Sequence, residues 1–225
     1  MNYANITEKP GDIKKRLVDF MEKSIYPNEH NYTDHLKNAE NRFSAVPLVE
    51  DLKTKAKELG LWNLFVPKQF GGLSNFDYAS LAEIMGRVLW SSEVFNCNAP
   101  DTGNMEVFMK YGDQEQREMW LTPLLNGEIR SSYVMTEPDV ASSDATNVRT
   151  TVLREGDEYV INGKKWFITN AMYEKTKIFI VMGKSDPDNE NRHLQQSQIL
   201  VPKNTKGIKI IRALTTLGYD DAPHG

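Results

Sequence analysis

SSYVMTEPDVASSDATN, residues 131–147, is where the chain changes character. Its opening reads with a period of two, which predicts a strand over residues 131–137. The chain then turns through Pro138, Asp139 and a run of small and hydroxylated residues. Main-chain N–H groups there, with the hydroxyls of Thr136, Ser142 and Ser143, offer donors to a polar cofactor edge or a phosphate. The same composition also makes a Ser/Thr/Asp-rich turn closed by side chain–backbone bonds. The residues alone leave both readings open.

Upstream the spacing is helical. Ile13, Leu17, Phe20, Met21 and Ile25 share one face, and Pro27 is expected to stop that helix. Val49, Leu52, Ala56 and Leu59 mark a second helix ending at Gly60, a residue suited to the left-handed conformation after a helix. Residues 61–72 are apolar but broken by Pro67, Gly71 and Gly72, which predicts a buried connection. Ser74 with Asp77 resembles a capping box before Leu81, Ala82, Met85, Val88 and Leu89. A fourth helix around Met105, Phe108 and Met109 ends at Gly112. Asp113 with Gln116 caps a fifth through Met119 and Trp120, which Pro123 should kink or end.

Downstream, residues 148–153, 159–161, 165–169 and 177–182 are short, rich in Val, Ile, Thr and aromatics, and bounded by turn residues. Asn162-Gly163 predicts a two-residue hairpin turn between two of them. Residues 177–182 read as a strand buried on both faces, 185–196 as a polar loop, and 198–201 with 207–211 as a further strand pair. Helices first and strands afterwards imply an α+β chain, with an all-helical domain over 1–130 and a β-domain over 131–225.

Across all 225 residues, 27 Lys and Arg face 31 Asp and Glu, a formal charge of −4. That balance excludes a nucleic-acid binder driven by phosphate contacts, which would carry a basic excess. Cys97 is the single cysteine, so the sequence holds no intrachain disulfide and no cysteine-clustered metal site. No stretch reaches the ~18 apolar residues of a membrane span. The first residues lack the apolar core of a signal peptide and the Arg-rich, acid-poor character of a transit peptide, so a cytoplasmic location is expected. The glycosylation sequons at Asn5 and Asn31 then read as chance.

Most motifs that carry chemistry are missing. There is no Gly-x-Gly-x-x-Gly for a dinucleotide, no phosphate-binding Gly-rich loop and no Gly-x-Ser-x-Gly elbow. His30 and His35 lie five apart, on different helical faces, and no carboxylate pattern completes a metal site with them.

Thr136-Glu137-Pro138 followed by Ser143-Asp144 resembles the flavin-binding signature of the acyl-CoA dehydrogenase family. Further on, Lys165-Trp166-Phe167-Ile168-Thr169-Asn170 resembles the family's second flavin motif, usually Trp-Ile-Thr-Asn after a Gly-x-Lys. Leu59-Gly60-Leu61, Phe70-Gly71-Gly72, Tyr111-Gly112 and Ser185-Asp186-Pro187 also sit where family members carry similar pieces, so the likeness spans nearly the whole chain. Two departures stand out. The family signature commonly reads Thr-Glu-Pro-Gly-Ala-Gly-Ser-Asp, whereas residues 140–144 are one residue longer and carry no glycine. Phe167 stands where the family usually has Trp. The form found here is similar to a subgroup related to long-chain acyl-CoA dehydrogenases.

The resemblance implies a helical bundle domain, a β-barrel-like middle domain, and a third, helical domain that is missing from these 225 residues. It implies FAD as cofactor, held by Tyr133, Val134, Met135, Thr136, Glu137, Ala141, Ser142, Ser143, Phe167, Ile168 and Thr169. Thr136 and its neighbours would meet the pyrimidine edge of the isoalloxazine, Ser142 and Ser143 the pyrophosphate, and Phe167 the ring. Ile168 and Thr169 would approach N5 and O4, and Glu137 would orient the loop as a structural carboxylate. Ser143 would also lie near the acyl-CoA substrate. The reaction implied is α,β-dehydrogenation of an acyl-CoA thioester in fatty-acid oxidation, with electron-transfer flavoprotein as acceptor and a homo-oligomer as the assembly. No catalytic base can be matched in this chain, and the family's base belongs to the third domain. Two other readings share these residues: a non-enzymatic interaction module, and a flavin oxidase or monooxygenase.

Overall fold

The computed structural model describes residues 1–219 and 222–225; Asp220 and Asp221 of the closing sequence lie outside the described residues. The chain divides into two compact units, Met1–Glu128 and Ile129–Gly225.

The first unit is helical. α1 (Pro10–Phe20) opens with proline, which lacks an N–H that the first turn could not have paired anyway, and buries Ile13, Leu17 and Phe20. Pro27 does not stop the helical path. A π-helical turn (Met21–Ile25) and a 3-10 turn (Tyr26–Asn28) carry it into α2 (Glu29–Asn38). Pro27 sits in the first turn of the 3-10 segment, where its missing donor costs nothing. α2 buries no residue, so it has no apolar stripe by which its sequence could reveal it; Tyr32 instead stacks on Trp90 with ring centres 4.7 Å apart.

α3 (Pro47–Glu58) buries Val49, Leu52, Lys53 and Ala56 and is followed by Gly60 at φ 65°. Leu61, Leu64, Phe65 and Val66 are buried, as the apolar connection predicts. Gly72 must be glycine, because a Cβ there would meet the Val66 carbonyl oxygen at 1.7 Å. Ser74 caps α4 (Asn75–Met85) by accepting the Asp77 N–H at 3.1 Å. α4 ends four residues earlier than expected, leaving Leu89 exposed, and a short α5 (Ser91–Val94) follows. α6 (Asp101–Tyr111) stops before Gly112, and Asp113 and Gln116 form a complete capping box over α7 (Gln114–Gln116). A second π turn (Arg117–Leu121) leads into α8 (Thr122–Leu125), so the path continues through Pro123. The widened turn accommodates the ring, and the Thr122 hydroxyl donates to the Arg117 carbonyl at 3.2 Å.

The second unit is a five-stranded mixed sheet. β1 (Arg130–Val134) runs parallel to β4 (Thr176–Lys184), and β4 pairs antiparallel with β5 (Gln196–Pro202). β2 (Thr151–Glu155) and β3 (Glu158–Asn162) form a hairpin joined to the end of β4 through Thr151 and Lys184. Val134, Phe179, Val181 and Val201 fill one face of this sheet with Ile168 and Ala171. Ile178 and Ile180 are buried on the other face, so β4 is covered on both sides, as its continuous apolar run predicts.

Three expectations are corrected. The hairpin turn is Gly156-Asp157, not Asn162-Gly163: Glu155 pairs with Glu158, and Gly156 takes φ 64° while Asn162 is the last residue of β3. Residues 165–169 form no strand, because Phe167 and Asn170 adopt φ 51° and 69°, values no ladder permits. Residues 207–211 are likewise irregular, and Ile208, Ile210 and Ile211 are exposed; among the described residues no strand pairs with them, so their β-propensity has nothing to act on. Among the described residues no helix is long and apolar enough to cross a membrane, and no cluster of potential metal ligands occurs.

Candidate functional site

β1 delivers the loop of residues 135–147. Its alternation places Val134 in the core, paired with Val181, and turns Tyr133 to the other face, where its hydroxyl accepts from Gln198 Nε2 at 3.2 Å. Partial burial raises the Tyr133 pKa. Beyond Val134 the ladder stops and side chains replace it. Lys165 Nζ donates to the Met135 carbonyl at 2.7 Å, the Met182 carbonyl at 2.8 Å and Glu137 Oε1 at 3.0 Å, using all three of its protons.

Glu137 is the hub of the loop. It is only 5% exposed, yet it accepts the Arg149 N–H on Oε2 and the Thr150 N–H on Oε1, both at 2.8 Å, besides the Lys165 bond. Burial by itself would raise the carboxyl; donors from Thr150, Arg149 and Lys165 outweigh it and bring the pKa down to about 2. Burial also lowers the Lys165 pKa, against the pull of Glu137. The Glu137 N–H donates to Ser142 Oγ at 2.8 Å, so the buried Ser142 hydroxyl closes the turn instead of facing outward. Ala141 and Ser143 are exposed at the tip, and the Ala141 carbonyl takes the Asn147 side-chain amide at 3.1 Å.

The second motif comes to the first through its backbone. The Trp166 N–H donates to the Thr136 carbonyl at 3.1 Å, leaving the Thr136 side chain exposed beside it. Phe167 holds φ 51°, a strained value for an aromatic residue, and remains 40% exposed with its ring edge-on to Trp166 at 5.0 Å. Ile168 points into the core, and its N–H and carbonyl are both bonded to Gly225, at 2.9 and 3.1 Å; the Ile168 N–H is therefore engaged within the protein. Thr169 is half-buried. Asn170 is buried at φ 69° and fastens this segment to β1 by donating to the Ser131 carbonyl at 3.0 Å.

The structure thus brings the two motifs together as one surface, with Thr136, Trp166 and Phe167 exposed over a polar frame of Glu137, Lys165 and Ser142. Lys165 and Asn170 are the members sequence reasoning gave no role. Asn170 carried a faint signal, since asparagine tolerates left-handed backbone. Lys165 carried none, because its acceptors lie on two segments distant from it in the chain, the loop at Met135 and Glu137 and β4 at Met182.

The sequence model of the acyl-CoA dehydrogenase N-terminal domain matches residues 7–128, and that of the middle domain matches residues 132–225. The human protein named acyl-CoA dehydrogenase family member 11 is 50% identical over 97% of this chain, which spans 28% of that protein. A solved Mycobacterium abscessus structure assigned to the acyl-CoA dehydrogenases superposes with a TM-score of 0.90 at 45% identity, covering 99% of this chain and 57% of its own. A structure of PigA with FAD and proline shares the fold, with a TM-score of 0.73 at 24% identity over 98% of this chain and 54% of PigA. The chain therefore spans less than two thirds of the length of these relatives. With both domain models matched in order and the two motifs joined in space, the chain belongs to the acyl-CoA dehydrogenase family.

Proposed function

We propose that this chain is the N-terminal portion of an FAD-dependent dehydrogenase that removes hydrogens from the α and β carbons of an acyl-CoA thioester, with residues 1–130 and 131–225 as its first two domains. The observation that carries the reading is the Trp166–Thr136 hydrogen bond, which sets a strained, exposed Phe167 next to the exposed Thr136. An aromatic face beside a hydroxyl and main-chain polar groups fits an isoalloxazine, whose ring stacks and whose edge carries acceptors and a donor. Bound there, FAD would supply the hydride acceptor.

The chain's own residues would hold and orient. Tyr133, Val134, Met135 and Thr136 present the strand end; Ala141 and Ser143 present the loop tip to the pyrophosphate, with Ser143 also toward the acyl-CoA. Phe167 and Thr169 flank the ring, Ile168 anchors them in the core, and Ser142 and Glu137 keep the loop closed. Glu137 is not the base. A carboxyl held near pKa 2 by three donors is too weak to remove an α-proton, and in this reading the base comes from another part of the full polypeptide. Electron-transfer flavoprotein as acceptor, a homo-oligomeric assembly, a cytoplasmic location and a role in fatty-acid oxidation complete the reading.

The test is chemical. Full-length protein should purify yellow and release FAD on heating, identified by chromatography. Release of FMN alone, or no flavin after reconstitution, overturns the assignment.

A further inference from the structure

Glu137 and Lys165 place two opposite charges beneath the exposed Thr136. The Lys165 ammonium and Glu137 Oε1 lie 3.0 Å apart, and neither side chain is more than 10% exposed. Both flank Thr136: Glu137 follows it in the chain, and Lys165 holds the carbonyl of Met135, which precedes it. Lys165 is tied to β4 through Met182, and the next residue, Trp166, holds the Thr136 carbonyl. Charges this deeply set are screened weakly by salt, so each acts on whatever rests against Thr136. The carboxylate does not need a cation to satisfy its oxygens. The Arg149 and Thr150 N–H groups already donate to one oxygen each at 2.8 Å. Those neutral donors leave its full negative charge in place, and the ammonium cancels it.

The consequence concerns the cofactor of the function proposed above, on which this inference rests. A hydride brings FAD two electrons and one proton, so the bound cofactor gains one negative charge on reduction. An uncancelled carboxylate beneath it would oppose that gain, since nearby charge tunes a flavin's electronics. We propose that Lys165 holds up the reduction potential of the bound flavin by neutralising Glu137. The loop thereby keeps a carboxylate for its architecture without hindering reduction. Lys165 is a positioning residue in this role: it acts through Glu137 and takes no part in moving the proton or the hydride.

The experiment uses the full polypeptide that contains this chain, loaded with FAD and free of acyl-CoA. Slow anaerobic reduction beside a reference dye reads the midpoint potential from the flavin spectrum. Lys165→Met should lower it by about 30 mV, a tenfold weaker preference of the site for reduced over oxidised flavin. Lys165→Arg keeps the charge and should stay near wild type. Adding Glu137→Gln to Lys165→Met removes the uncancelled carboxylate and should bring the potential back toward wild type. A loosened loop gives a different pattern: both redox states bind more weakly alike, the potential stays put, and the double variant is worse than Lys165→Met. Unfolding midpoints establish that each variant is folded. Should Lys165→Met fail to fold, Lys165→Gln makes the same charge change and keeps two N–H donors. A potential that does not fall when the Lys165 charge is removed, or that Glu137→Gln does not then raise, overturns the inference. Wild-type protein that takes up no flavin overturns the FAD assignment, and the inference with it, so the two failures are seen separately.

Discussion

Glu137 and Lys165 carry the strongest single-residue consequences. Their side chains are 5% and 10% exposed, so each charge depends on the other and on the surrounding main chain. Lys165→Met would strip one donor from a buried carboxylate and leave the Met135 and Met182 carbonyls without their shared partner. A loss of about 3 kcal/mol is expected in urea unfolding at pH 7. Glu137→Gln adds a pH signature. The folded carboxyl is depressed, to about 2 from an ordinary value of 4.5, so its contribution is fully present above pH 4.5 and is lost as pH falls toward 2. The stability gap between wild type and Glu137→Gln should therefore be flat from pH 8 to 5 and shrink on further acidification, by at most about 3 kcal/mol. A gap that widens in acid would contradict the hydrogen-bond account. Phe167→Gly should show the opposite pattern from a core substitution. Relief of the left-handed strain offsets the lost ring contact, so stability should change by no more than about 1 kcal/mol while flavin affinity falls. A fall in stability of several kcal/mol would make Phe167 part of the core.

At the scale of elements, two glycines beside β2 and β3 separate conformational from steric need. Gly156 holds φ 64° in the hairpin turn with open space where a Cβ would go, so Gly156→Ala should cost about 1 kcal/mol, purely from backbone strain. Gly163 has no such φ, but a Cβ there would sit 2.2 Å from the Thr150 hydroxyl oxygen. Gly163→Ala should therefore cost more, about 2–3 kcal/mol, and should be only partly rescued by Thr150→Ala, which removes the hydroxyl and methyl but leaves the Thr150 Cβ at 2.7 Å. Absence of that rescue in a double-mutant cycle would show that the clash is not the cause. Asn-Gly pairs favour tight hairpins, and residues 162–163 carry that pair, yet the turn forms at Gly156-Asp157. Pairing of Val152 with Ile161 and of Leu153 with Val160 centres the chain reversal between residues 156 and 157, six residues before Asn162-Gly163. Local turn chemistry yielded to cross-strand pairing.

At the scale of the whole molecule, residues 1–225 alone should not dehydrogenate acyl-CoA. Two carboxylates of the loop are committed: Glu137 to its donors, and Asp144 to Thr146, whose hydrogen bonds lower its pKa. General-base catalysis typically supplies ~10²–10⁴-fold, and without it the α-proton stays in place. Expressing this chain beside the full-length polypeptide and following reduction of an artificial acceptor decides the matter. Turnover by the 225 residues alone would place the base within them and remove Glu137's neighbours from a purely structural role.

The sequence by itself determined the order of parts, the caps and the buried strand. Ser74 and Asp113 cap where their spacing says, Gly60 turns left-handed after α3, and the apolar run at 177–182 is the covered strand, because each depends on neighbours close in the chain. The two motifs were also legible, as residue types in a fixed order. Tertiary structure decided what no local window contains. Helical paths continue past Pro27 and Pro123 because π turns make room for the rings. Residues 165–169 give up their β-propensity because the Trp166 N–H goes to Thr136, the Ile168 backbone goes to Gly225, and Asn170 reaches back to Ser131. Lys165 becomes the centre of the loop only once Met135, Glu137 and Met182 stand within reach of one ammonium group, a convergence of three distant segments that sequence spacing does not encode.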